Sequence, residues 1–219
     1  MPKSFEFDTV RQHCRSLYVR YREKAATAFL MIQDGKNTFA QGKEELGIQS
    51  RYIHRGVYCP SPIIENIVTN IKRGKIATKI GNVKNPTNHY IFDTSDHLRI
   101  SETYFPDDSV GTEYIFYEEN IVWGFEYENG HLSQLSIEEY NDDRLESYLL
   151  IKCFSNATEM DYECYSWNTP ASLSVLRYRF LELHPHLDRC QIYRFVREAN
   201  GSLMWERQEG QGDGLREPI

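Results

Sequence analysis

Ile121-Val122-Trp123-Gly124-Phe125-Glu126-Tyr127-Glu128 decides the fold. Ile121, Trp123, Phe125 and Tyr127 share one parity, and Val122, Gly124, Glu126 and Glu128 share the other. That two-residue period is a strand with one apolar and one wetter face, the pattern of an antiparallel sheet. Asn129-Gly130 follows, and both residues tolerate the positive φ angles of a two-residue hairpin turn. Alternation resumes at His131, so the stretch reads as a hairpin.

The same punctuation extends both ways. Strands are predicted at 89–93, 97–105, 112–118, 121–128, 131–139, 144–154, 159–167, 172–182, 189–198 and 202–208, with turn signals such as Asn141-Asp142-Asp143 and Asn200-Gly201 between them. No helical pattern interrupts this series, so the connections are hairpins and the sheet is a meander. Upstream the period changes. From Val10, apolar residues recur at Cys14, Leu17, Tyr18, Tyr21, Ala25, Ala28, Phe29 and Ile32, one stripe of a helix with Asp8 as its expected cap and Gly35 as its stop. A second helix is predicted at 61–73. The residues between 36 and 50 read as a connection, 51–58 as a short strand and 75–80 as another. The expectation is one α+β domain over residues 1–208: N-terminal helices packed on an antiparallel meander of about eight to ten strands, strongly curled, with residues 209–219 as a flexible tail.

Bulk composition fits this reading. With 219 residues, 40% hydrophobic and 26% charged, the chain can bury a core without disulfides or metals. The five cysteines contain no Cys-x-x-Cys pair, which speaks for reduced thiols rather than a disulfide framework or zinc cage. No run approaches a membrane span and the first residues lack an apolar signal core, so the cytoplasm is the expected address.

Charge is divided along the chain. Residues 1–85 hold 15 Lys/Arg against 7 Asp/Glu, whereas residues 93–163 hold 3 against 18. Acids of neighbouring hairpins are expected to converge on one tyrosine-studded face that steers a basic protein partner. The residues assigned to that surface are Tyr114, Tyr117, Glu118, Glu119, Glu126, Tyr127, Glu128, Glu138, Glu139, Tyr140, Asp142 and Asp143, with tyrosines as anchors and acids as the steering rim. The basic N-terminal third offers an alternative: a cleft for RNA or a phosphorylated small molecule, with His54 and Arg55 as its working residues. A structural subunit that self-associates through a sheet edge is a third reading.

No motif supplies catalytic chemistry. There is no nucleophile elbow, phosphate-binding Gly-rich loop, His-Glu-x-x-His or dinucleotide fingerprint. His184-Pro185-His186 with Asp188 and Cys190 is the densest set of metal-ligating types, but it lacks a second ligand pair. No catalytic residue, metal or cofactor is therefore expected.

In general character, the segment 112–154, with Tyr114-Ile115-Phe116-Tyr117-Glu118-Glu119 and Phe125-Glu126-Tyr127-Glu128-Asn129-Gly130, resembles the acidic immunity proteins that bacteria pair with polymorphic or contact-delivered toxins. That resemblance implies a non-enzymatic protein that masks a basic toxin domain, such as a nuclease.

Overall fold

The helical stripe becomes a single element, α1, Phe7–Gln33. Val10, Cys14, Leu17, Tyr21 and Ala25 are all buried, in steps of three and four residues that keep them on one side of the helix. Asp8 lies inside the first turn, where its charge suits the helix dipole, rather than at the cap position. At the other end Gly35 takes a φ of 66°, its N–H donates to the Ile32 carbonyl and that of Lys36 donates to Met31, a Schellman stop.

The computed structural model describes residues 7–36, 39–52, 76–80, 84–141, 144–155, 157–169, 172–181, 189–197 and 203–208. The helix predicted at 61–73 and the tail at 209–219 lie outside them.

Among the described residues twelve strands form one antiparallel sheet: β1 Gln41–Tyr52, β2 Ile76–Ile80, β3 Asn88–Asp93, β4 Leu98–Tyr104, β5 Val110–Glu118, β6 Ile121–Glu128, β7 His131–Asn141, β8 Arg144–Cys153, β9 Thr158–Thr169, β10 Ser172–Leu181, β11 Arg189–Arg197 and β12 Leu203–Gln208. From β3 to β12 each strand pairs with its successor, and β1 lies between β3 and β2. Among the described residues the sheet is open, with β2 and β12 at its edges. The meander is as expected. Its ten strands, β3 to β12, match the expected eight to ten; β1 and β2 extend the sheet, and β1 occupies most of the stretch read as a connection. At the β6–β7 turn Asn129 and Gly130 have φ of 51° and 78°, the pair of left-handed residues that a two-residue hairpin needs.

Register places the core. Two cross-strand rows run beneath α1: Phe125–Leu135–Ile151–Met160–Phe180 and Trp123–Ile137–Leu149–Tyr162–Tyr178, each crossing β6 to β10. All ten are buried, and with the helix stripe they make one apolar cluster. At about 1.5–3 kcal/mol per buried large side chain, these rows are the main stabilising contribution. Ring contacts give the direction of α1 across the strands. Near its start His13 meets the edge of Tyr162 on β9, and near its end Phe29 stacks on Tyr127 of β6, 4.0 Å between centroids and 4° between planes.

Candidate functional site

The twelve residues expected to share one acidic face divide between the two sides of the sheet. Tyr114, Glu118, Tyr127 and Glu139 lie on the side that carries α1; Tyr117, Glu126 and Glu138 lie on the other. The cause is the strand period itself: Glu138 and Glu139, adjacent in sequence, must point opposite ways. Glu119 and Glu128 stand exposed at hairpin turns, Tyr140 is buried, and Asp142 and Asp143 lie outside the described residues.

Several of these groups are engaged within the chain. Glu118 accepts hydrogen bonds from Lys24 Nζ at 2.7 Å, Trp123 Nε1 at 3.0 Å and Tyr21 Oη at 3.4 Å. Burial alone would raise its carboxyl, but these donors and the lysine charge hold it below the usual carboxylate range. Glu138 is buried and accepts from the Tyr140 hydroxyl at 2.7 Å. Tyr127 is covered by Phe29, and Tyr117 is stacked on His97 with the Arg99 guanidinium 4.9 Å from its ring.

The far side of the sheet carries a second buried polar group. Arg179 holds Asp161 with two hydrogen bonds, Nε at 2.7 Å and Nη2 at 3.1 Å, and Arg177 reaches both Asp161 (3.3 Å) and Glu163 (3.6 Å). Burial pushes the Glu163 carboxyl up to about 7, against the lowering effect of the Tyr165 hydroxyl and Arg177. Nearer β5, Glu113 and Ser136 approach each other over Gly124, with Ser136 Oγ donating to Glu113 Oε1 at 3.3 Å. A Cβ on Gly124 would lie 2.9 Å from that Oε1 and 3.1 Å from both Ser136 Oγ and the Tyr114 carbonyl oxygen.

One polar constellation on the helix side was not anticipated. Beside the two apolar rows runs a third, Ile121–Glu139–Ser147–Cys164–Leu176, whose middle three members are polar or nucleophilic. His13 crosses over it from α1, with Nε2 3.4 Å from Glu139 Oε2. Ser147 Oγ donates to the same carboxylate at 2.5 Å. The contact with Glu139 raises the His13 pKa despite opposition from burial, and reciprocally the His13 hydrogen bond lowers that of Glu139, helped by Ser147 against burial. Burial pushes up the thiol of neighbouring Cys14 and the Tyr162 phenol, so both are protonated at neutral pH.

Above this row lies a cavity of about 280 Å³ lined by Thr9, Val10, His13, Tyr162 and Cys164. Its sequence signal is a break in alternation: Leu135 and Ile137, then Glu139; Ile151 and Leu149, then Ser147; Met160 and Tyr162, then Cys164.

Among the described residues no three His, Cys, Asp or Glu are placed to hold a metal. The His184–Asp188 segment and the alternative pair His54 and Arg55 lie outside those residues. Cys14, Cys153 and Cys164 are free thiols. No described helix is long and apolar enough to cross a membrane. The chain matches no protein-family model, no curated protein and no solved structure.

Proposed function

We propose that this chain is a non-enzymatic binding protein that holds a basic protein partner at the acidic end of its sheet. The observation that carries this reading is the meander. Alternate turns of a sequential antiparallel sheet lie at the same end, so the β3–β4, β5–β6 and β7–β8 turns are neighbours there. Exposed Asp96, Glu119 and Glu146 belong to these three hairpins, Asp96 sharing its charge with Lys43 in an ion pair, and the same β7–β8 turn contains Asp142-Asp143 in sequence. Hairpins two strands apart are separated by about 9–10 Å. That is close to the screening length of about 8 Å at physiological salt, so their fields overlap. The working surface is then a rim of turns rather than the sheet face.

The finer parts of the proposal follow from that rim. A basic toxin nuclease domain is the partner class that such a field would suit, in the manner of an immunity protein. A sheet curled about α1 would draw the three turns closer together. The free thiols favour a reducing compartment and hence the cytoplasm.

Affinity capture with the full chain from its native host, at low and high salt, tests the reading. The expected result is a basic protein recovered stoichiometrically at low salt and lost when Asp96, Glu119 and Glu146 are each replaced by lysine. Recovery of no such protein, or recovery untouched by the three reversals, refutes it.

A further inference from the structure

We propose that the cavity beneath the first two turns of α1 is a binding site for a small, neutral, single-ring aromatic ligand bearing one hydrogen-bonding group, of the phenol class. Its size sets the first limit. A cavity of about 150 Å³ takes benzene, and sites for larger organic molecules begin at about 300 Å³. At about 280 Å³ this one suits a single substituted ring.

Its walls set the second. Val10 and the Tyr162 ring give apolar and aromatic surface, and the Cys164 sulfur is a soft contact for a ring. Among the described lining residues the polar groups are few, as a specific small-molecule site requires. His13 is held from behind by Glu139, which Ser147 anchors in turn, so the imidazole is presented in one orientation. His13 and Thr9 line the cavity and are placed to meet a ligand's hydroxyl or carbonyl. The mostly apolar lining disfavours an anionic ligand, which selects a phenol over a benzoate.

Cys164 supplies the readout. The full-length protein is treated with N-ethylmaleimide and the alkylation of each cysteine is followed by peptide mass spectrometry, with and without 4-methylphenol. A ligand of this size with Kd of about 5 mM, added at about 10 mM, should slow Cys164 about threefold. Cys153, half-buried near Tyr18 and away from the cavity, should keep its rate. 4-Methylanisole, which lacks the hydroxyl proton, should protect less, and Val10→Phe, which fills the space, should remove protection while preserving the circular dichroism spectrum. Equal slowing of Cys153 and Cys164, or none, overturns the proposal. So does a Cys164 that never reacts in the folded chain, since the cavity would then be sealed. Equal protection by 4-methylanisole overturns the hydrogen-bonding part.

Discussion

Replacing Gly124 by alanine sets two physical effects against each other, and their balance is fixed by distances on the far side of the sheet. A glycine inside a strand costs about 0.5–1 kcal/mol relative to alanine in backbone entropy, so propensity alone has Gly124→Ala stabilising the protein. The added methyl would sit 2.9 Å from Glu113 Oε1, 3.1 Å from Ser136 Oγ and 3.1 Å from the Tyr114 carbonyl oxygen. Carbon–oxygen contacts this short need several tenths of an ångström of relief. The serine hydroxyl can rotate away, but the Tyr114 carbonyl belongs to the β5–β6 pairing and Glu113 is buried. Overpacking of this kind costs about 1–3 kcal/mol. Taking the middle of each range, the net loss is about 1 kcal/mol, a fall in Tm of about 2–4 °C for a chain of this length. Thermal and urea unfolding followed by circular dichroism measure it. An unchanged or higher Tm for Gly124→Ala would refute the close approach of Glu113 and Ser136 over this strand.

Asp93 accepts from the amides of Ser95 (2.8 Å) and His97 (3.0 Å) and from Arg99 Nε (2.7 Å), and these bonds outweigh burial to hold its carboxyl below the usual range; Asp93→Ala should cost about 1.5–3 kcal/mol in urea unfolding, because three hydrogen bonds to a charged acceptor are lost together. The raised pKa of His13 contributes stability that is full below its unfolded value of 6.5 and is lost as pH rises through the folded value, whereas the lowered pKa of Glu139 contributes stability present above 4.5 and lost on acidification. The pair therefore contributes most between those pH values. His13→Gln should lower Tm more at pH 5.5 than at pH 8.5, and an equal effect at both would show that the contact is not titrating.

All ten strands read from residue 89 onward are present, because each carries its own alternation and its own turn. Asn129-Gly130 determines a hairpin from two residues alone. β1 was not legible: Gln41–Tyr52 is rich in glycine and charge, and its extended form is held by pairing with β2 and β3 on either side. The helix stop at Gly35 was local and readable, whereas the cap assignment to Asp8 missed by a turn position. The acidic set was correctly seen as dense but wrongly placed on one face, since neighbouring acids such as Glu138 and Glu139 were counted together against the strand period. The His13 constellation escaped for a different reason. Its two halves are 126 positions apart, and no local pattern brings a helix residue over a particular row of the sheet.

The order in which the chain leaves the ribosome gives α1 an awkward early life. Its apolar stripe is complete at Gln33, but the rows it rests on end with Phe180, roughly 150 residues and, at 5–20 residues per second, about 7–30 seconds later. Throughout that interval an amphipathic segment waits without its seat, exposed to whatever greasy surface passes. A nascent chain built this way depends on a holding chaperone, or on cradling by the strands already made, to reach completion unaggregated.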